Sequence, residues 1–266
     1  MELIENFEII APFVIFTFGL IFGSFANVCI YRLPQEKSVV FPASHCMKCS
    51  APVRWFDNIP VLSWVILRGR CRACKEKFSI RYPFVELVMA FSFLITYRFD
   101  GLSWLLLEHL LLVFGLVTVS FIDIDHFILP DKFTLPGIVI GLVGSLINPE
   151  RSAVDSFLGV LMGGGFLWAI AWFYFALKKQ EGMGGGDIKL LAWIGAVIGW
   201  KSIPFVIICA SMVGSFGGIF SAMRSKQGMQ TVIPFGPYLA LGAVLYIWGG
   251  QSLGDWYISV FFPTQN

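Results

Sequence analysis

The feature that most constrains this chain is a succession of apolar segments, several of them long enough to cross a lipid bilayer. The first runs from about residue 9 to residue 30 and contains no charged residue. A transmembrane helix needs about 20 predominantly apolar residues. The whole chain is 57% hydrophobic and only 14% charged, which is too apolar for a soluble globular domain. We therefore predict an all-α polytopic membrane protein.

Seven further apolar segments follow the first, so about eight transmembrane helices are expected. Their predicted ranges are 83–97, 102–122, 133–147, 154–177, 188–200, 203–222 and 234–249. The loop at 31–82 contains ten Lys and Arg residues against three acids, a local excess of seven positive charges. Because basic loops stay on the cytoplasmic side, we place this loop in the cytoplasm and the N-terminus outside.

The basic loop also carries a metal-binding pattern of two Cys-x-x-Cys pairs, Cys46 with Cys49 and Cys71 with Cys74. Each pair places two thiolates on one side of a tight turn, and two such turns can complete a closed tetrahedral zinc site. Disulfides are the alternative, although a reducing cytoplasm argues against them. We accordingly predict a first helix at 1–30, a zinc-ribbon-like cytoplasmic loop domain at 31–82 and a membrane domain at 83–266.

An acidic motif ends the third predicted span and comprises Asp123, Asp125, His126 and Asp131. Ionisable residues at a membrane edge are costly and mark functional sites by default. Asp123 follows the apolar pair Phe121-Ile122 and is expected to lie deepest. Asp125 and Asp131 lie beside a polar turn, and we interpret them as solvated or, for Asp131, as a helix cap.

A glycine-rich run, Gly182-Met183-Gly184-Gly185-Gly186, delivers Asp187 to the start of the sixth span. Glycine has no Cβ, so a substrate can come into contact with the main chain here. The alternative is a flexible loop whose Asp187 caps the next helix. Two predicted spans separate Asp123 from Asp187, and an even number of crossings returns the chain to the same side. Both acids are therefore expected at the cytoplasmic face.

Two carboxylates that share a poorly solvated cleft cannot both ionise, so one stays protonated near neutral pH. Such a pair can polarise a carbonyl group while it activates water. This chemistry is peptide hydrolysis without a serine, thiolate or catalytic metal, and the alternative is that these acids are interfacial and solvated.

With these motifs in this order, the chain resembles the bacterial type IV prepilin peptidases, members of the Gly-x-Gly-Asp class of intramembrane aspartyl proteases. The resemblance covers nearly the whole chain. It begins with the signature from Gly23 to Pro34 and continues through the cysteine tetrad and the segment from Arg81 to Glu86. Asp123, with Leu129-Pro130-Asp131 downstream, stands at the family's first catalytic aspartate, and the Gly-x-Gly-Asp run supplies the second.

The resemblance implies catalytic roles for Asp123 and Asp187, with an active-site loop formed by Gly184, Gly185 and Gly186. It further implies an enzyme of the bacterial inner membrane that removes the basic leader of prepilins or pseudopilins. The cut falls between a glycine and, usually, a phenylalanine. Family members with the cysteine domain commonly methylate the new amino group with S-adenosylmethionine. Membrane lipids and the pilus or secretion machinery are the implied partners, and nucleic acid is not among them.

Two other classes of function fit part of the pattern. A proton-coupled transporter also places carboxylates near glycine-broken helices, but usually near the bilayer midplane. A non-enzymatic pilus-assembly scaffold could use the zinc loop and would tolerate the loss of either aspartate. An activity assay on variants of Asp123 and Asp187 separates all three.

The basic loop itself is not expected to attract a basic leader, because like charges repel. We interpret its Lys and Arg residues as holding the loop against anionic lipid headgroups. The substrate helix would then enter laterally from the bilayer. Asp125, Asp131 and Glu181 are the candidates to receive the leader's positive charges.

Overall fold

A computed structural model of the protein describes residues 2–180, 183–224, 233–250 and 252, with side chains described from residue 9 onward. Within these ranges the fold is helical and contains no β-strand, only two isolated bridges in the loop domain. The all-α prediction is thereby confirmed. The chain divides into two compact units, Met1–Arg98 and Phe99–Asn266. The finer division at residues 30 and 82 stays a prediction.

Each predicted span coincides with a helix. The first unit contains α1 (Glu2–Arg32), the short α2 (Leu62–Ile66) in the loop domain, and α3 (Arg81–Asp100). The second unit contains α4 (Trp104–His126), α5 (Asp131–Ile147), α6 (Ala153–Lys178), α7 (Gly185–Ile198), α8 (Ser202–Arg224) and α9 (Gly236–Leu245), which a π-helical turn (Tyr246–Gly250) extends. The sequence did not predict α2.

Five of these helices, among the described residues, are long and apolar enough to cross a membrane. They are α1, α3, α4, α6 and α8, the first over Ile9–Gln35. The remaining three of the predicted spans are shorter, with 17 residues in α5, 14 in α7 and 10 in α9. The protein is thus a multi-pass membrane protein, while the number of eight crossings and their orientation stay predictions.

In the first unit, α1 and α3 pack closely because α1 presents glycines to its neighbour. A Cβ at Gly19 would lie 2.5 Å from the Ala90 Cα, and a Cβ at Gly23 would lie 2.6 Å from the Glu86 Cα. Glu86 is buried there, and its carboxylate accepts a hydrogen bond from the Val61 amide at 2.7 Å. This bond ties the loop domain to the start of α3.

In the second unit, α7 is the central helix. Its residues from Leu190 to Val197 are all buried, chiefly against α5 and α6. Gly195 meets Gly159 of α6 backbone to backbone, and Trp193 fills the space that Gly115 and Gly137 leave open on α4 and α5. These contacts enclose the 14-residue helix α7 and thereby hold the helix that carries Asp187 in a fixed position.

A buried arginine fixes the end of α7 opposite Asp187. The Arg151 guanidinium forms an ion pair with Glu108 of α4 and donates to the Ser156 Oγ at 2.6 Å. It also donates to the Ala196 carbonyl, near the C-terminus of α7, where a positive charge is favourable. Arg151 therefore joins α4, α6 and α7, and it holds the far end of the acid-bearing helix in place.

Candidate active site and metal centre

Asp123 lies in the last turn of α4 and is 5% exposed. Its backbone carbonyl accepts a hydrogen bond at 2.9 Å from Phe127, whose left-handed conformation (φ 55°) ends the helix. Its carboxylate Oδ2 accepts a hydrogen bond at 3.0 Å from the amide of Gly236, the first residue of α9. A helix N-terminus carries partial positive charge, so α9 favours a negative charge on Asp123.

Gly236 was not predicted from the sequence, since it lies 113 residues from Asp123 along the chain. A Cβ at this position would lie 2.7 Å from the Asp123 Oδ2, so only glycine fits without displacing the carboxylate. The one local signal is the Gly236-Pro237 pair, since proline is favoured at the start of a helix. The Gly-Pro pair predicts where α9 begins, but it does not predict that the start of α9 contacts Asp123.

Leu129 connects the two acid-bearing segments. A Cβ at Gly186 would lie 2.8 Å from the Leu129 Cβ, and a Cβ at Gly236 would lie 3.1 Å from the Leu129 Cδ2. The glycine before Asp187 and the glycine bonded to Asp123 thus pack against one side chain. The two carboxylates are close enough to interact electrostatically. The structure brings together the two acids that the sequence singled out.

Asp187 is half-buried in the first turn of α7. The N-cap position belongs to Gly184, so Asp187 is not the capping residue that the alternative interpretation required. A Cβ at Gly184 or Gly185 would meet no described residue within 4 Å, and both glycines are exposed. Packing against the described residues would therefore allow a side chain at either position, and the glycines leave open space close to Asp187.

The other acids of the motif lie outside this cluster. Asp125 and Asp131 are exposed, as the sequence indicated. Asp131 accepts a hydrogen bond from the Lys189 Nζ at 2.6 Å, which links the start of α5 to α7. Asp131 is the first residue of α5, next to the N-cap Pro130, and so does not cap the helix. Glu181 lies outside the described residues.

The four cysteines of the loop domain form one cluster, with all four Sγ atoms within 4.8 Å of one another. The Sγ–Sγ distances are 3.7 Å for Cys46–Cys74 and 4.0 Å for Cys49–Cys71. Thiolates about 2.3 Å from a tetrahedral ion are roughly 3.8 Å apart. All four are free cysteines and form no disulfide. The arrangement could bind a metal ion.

The two cysteine pairs lie on matching turns. The Cys46 amide donates to the Ala51 carbonyl at 2.9 Å, and the Cys71 amide donates to the Glu76 carbonyl at 2.8 Å. Backbone bridges close each turn, His45 with Pro52 and Arg70 with Lys77. A short Cys-x-x-Cys spacing folds into such a turn without support from a large core.

The charges of the cluster also suit a cation. Hydrogen bonds from the Cys49 and Lys48 amides lower the pKa of the Cys46 thiol to about 6. A hydrogen bond from the Glu76 amide lowers the pKa of the Cys74 thiol, but partial desolvation and hydrogen bonds with the neighbouring thiols outweigh it and raise this pKa to about 11. Several thiolates in such a small volume repel one another, and a bound cation removes that repulsion.

Comparisons with known proteins agree on both units. A family model described as the bacterial peptidase A24 N-terminal domain matches residues 17–99, which include the four cysteines. A model of the type IV leader peptidase family matches residues 110–219, which include Asp123 and Asp187. No solved structure matches the chain significantly.

Similar proteins align with nearly the full length of the chain. A prepilin leader peptidase/N-methyltransferase of Aeromonas hydrophila is 37% identical, with 93% of this chain and 94% of the relative aligned. Proteins with the same name from Stutzerimonas stutzeri and Legionella pneumophila are 39% and 35% identical. The alignments cover 88% and 96% of this chain, and 89% and 97% of those relatives.

Proposed function

This chain belongs to the type IV leader peptidase family, and we propose that it cleaves the basic leader from type IV prepilins or type II secretion pseudopilins. It is a peptidase and methyltransferase of a bacterial membrane. We place the cleavage at the cytoplasmic face of the inner membrane, between a glycine and usually a phenylalanine. The observation that carries the proposal is the electrostatic contact between Asp123 and Asp187 in the second unit, where Gly236 beside Asp123 and Gly186 beside Asp187 pack against the same side chain, Leu129.

The unequal surroundings of the two acids suggest their roles. The Gly236 amide and the N-terminus of α9 favour an ionised Asp123, so we assign it as the base. Asp187 interacts with that charge, and a pair of close carboxylates keeps one proton, so we assign Asp187 as the acid. One ionised and one protonated carboxyl group are what an aspartyl protease needs.

In the proposed reaction Asp123 takes a proton from a water molecule while the water oxygen attacks the scissile carbonyl carbon. Asp187 gives its proton to the carbonyl oxygen, and a neutral tetrahedral diol forms. Asp123 then passes its proton to the leaving nitrogen as the carbon–nitrogen bond breaks. Asp187 recovers a proton from one diol hydroxyl, and the pair returns to its starting state.

The exposed glycines explain how a peptide reaches this pair. A Cβ at Gly184 or Gly185 would meet no described residue, so there is open space along the main chain at this point. We propose that the substrate backbone passes over them in extended form. Side chains here would hold the scissile bond away from Asp187.

We propose that the cysteine cluster binds zinc in a structural role. Four thiolates fill a tetrahedral coordination sphere and leave no open position for catalysis. Cys46, Cys49, Cys71 and Cys74 would hold the ion and thereby fix the two turns of the loop domain. Zinc binding can stabilise such a small fold by on the order of 10 kcal/mol.

For the second activity, S-adenosylmethionine would supply the methyl group for the new N-terminal amine. A cleft in the loop domain is lined by Arg68, Arg70 and Lys75. This positive lining does not suit a sulfonium cation, so we assign no residue of the cleft to the methyl donor. The peptidase assignment does not depend on this step.

The test of the proposal is cleavage of a purified prepilin by the variants Asp123→Asn and Asp187→Asn. Each should reduce cleavage to a trace while the protein stays folded in the membrane and still methylates a substrate already freed of its leader. The matched control is Glu150→Gln, which removes one charge from an exposed acid beyond the opposite end of α5. Clear residual cleavage by either asparagine variant would show that the acid is not catalytic.

A further inference from the structure

The loop domain presents an apolar helix face to its surroundings. One side of α2 is attached to the loop, since the buried Ser63 Oγ donates to the Phe56 carbonyl at 3.0 Å. Trp64 donates to the Phe78 carbonyl at 3.4 Å and covers Gly69. The other side of α2 consists of three aliphatic residues with i, i+3 and i+4 spacing that are 59 to 74% exposed: Leu62, Val65 and Ile66.

A basic cleft follows α2 directly in the chain. It has a volume of about 290 Å³ and is lined by Leu67, Arg68, Arg70, Cys71 and Lys75. The two acids nearest in sequence are already paired, Glu76 with Lys48 and Asp57 with Arg72. In the described part of the chain, the three basic residues of the cleft form no ion pair. Cys71 brings thiolate charge to one side of the cleft, but Arg68, Arg70 and Lys75 are exposed and unpaired with any described carboxylate, so they can still bind an anion from solvent or from a lipid surface.

We propose that the exposed side of α2 and the basic cleft together form a face that docks the loop domain onto anionic phospholipid. This docking face consists of Leu62, Val65 and Ile66, which enter the bilayer interface, and of Arg68, Arg70 and Lys75, which bind headgroup phosphates. Exposed aliphatic residues beside basic residues are the pattern of interfacial membrane binding.

The position of the loop domain favours a membrane over a protein partner. The chain enters this domain from α1, which ends at Arg32, and leaves it into α3, which begins at Arg81. Both helices are candidate membrane spans of the same compact unit, so a bilayer surface lies next to the loop. A basic prepilin leader, in contrast, would be repelled by the cleft. The inference is independent of the roles assigned to Asp123 and Asp187.

The test uses the full-length protein in lipid nanodiscs, with hydrogen–deuterium exchange measured over residues 61–70. One disc type contains phosphatidylcholine alone, and the other also contains phosphatidylglycerol. Amide exchange should be slower in the anionic discs. The double variant Arg68→Gln/Lys75→Gln should reduce the difference in exchange rate between the two disc types by a factor of roughly five for each positive charge removed.

The matched control is Lys37→Gln/Arg54→Gln, which removes the same charge from the same loop outside the cleft. Because the proposal narrows the lipid contact expected of the whole basic loop to the docking face, this control should keep most of the lipid dependence. A triple Ser replacement of Leu62, Val65 and Ile66 should speed exchange in the anionic discs while the metal content stays unchanged. Equal exchange in both disc types would overturn the proposal, as would an equal effect of the control. The same slowing produced by inorganic phosphate in phosphatidylcholine discs would show an anion pocket and no membrane docking.

Discussion

The contact between Gly236 and Asp123 leads to the sharpest single-residue prediction. In Gly236→Ala the added Cβ would lie 2.7 Å from the Asp123 Oδ2 and 3.1 Å from the Leu129 Cδ2. Either the buried carboxylate or its amide donor must shift, so the 3.0 Å hydrogen bond is lost or lengthened. A hydrogen bond to a charged group contributes about 1.5–3 kcal/mol.

Because we assign Asp123 as the base, this energy should appear in the reaction and not in substrate binding. The expected result is a fall in kcat of roughly tenfold to a hundredfold, with KM little changed. Steady-state cleavage of a purified prepilin in detergent or nanodiscs measures both constants.

The control for a methyl group added to a glycine is Gly165→Ala in α6, where a Cβ would meet nothing within 4 Å. Thermal unfolding of both variants shows whether the fold is intact. A folded Gly236→Ala enzyme with the kcat of the parent would refute the role that we give to the α9 amide. A rise in KM at constant kcat would refute it too, and would indicate that Gly236 contacts substrate.

Three further predictions concern the rest of the two sites. Cys71→Ser should release about one equivalent of zinc, seen by metal analysis, and should make the loop domain more sensitive to protease than Cys209→Ser does. Gly185→Ala should lower kcat/KM for prepilin cleavage, mainly through kcat, because its side chain would hold the scissile bond away from Asp187. Replacing Asp125 and Asp131 by Asn should raise KM for a substrate with a basic leader, and less so for one without leader charges.

Much of the fold could be predicted because a membrane span is recognisable from a local run of apolar residues. All eight predicted segments are helical, and the ends differ by a few residues, as for the span predicted at 83–97 that forms α3 (Arg81–Asp100). The length of an apolar segment was a weaker predictor of its structure. Helix α7 has only 14 residues and is stabilised by the neighbouring helices, and these contacts cannot be predicted from its own sequence. The loop helix α2 was missed because five residues carry too little periodicity.

The parts of the candidate site that depend on residues close together in the sequence could be predicted. The depth of Asp123 relative to Asp125 followed from the apolar residues before it, and the cysteine cluster followed from spacing alone. Gly236 and Arg151 could not be found in this way. Each acts through contacts with distant segments, Gly236 with Asp123 and Arg151 with Glu108 and Ala196. Such contacts depend on how the helices pack against one another, and this packing cannot be predicted from a single sequence.

The most direct test of the central claim, that Asp123 and Asp187 act as one catalytic unit, is a double-mutant cycle on kcat. It compares Asp123→Asn, Asp187→Asn and the double variant with the parent enzyme on one prepilin substrate. Groups that work as a unit have strongly non-additive effects. The account predicts that the double variant is no slower than either single variant. Losses that multiply would contradict it, because they would show that the two carboxylates act independently.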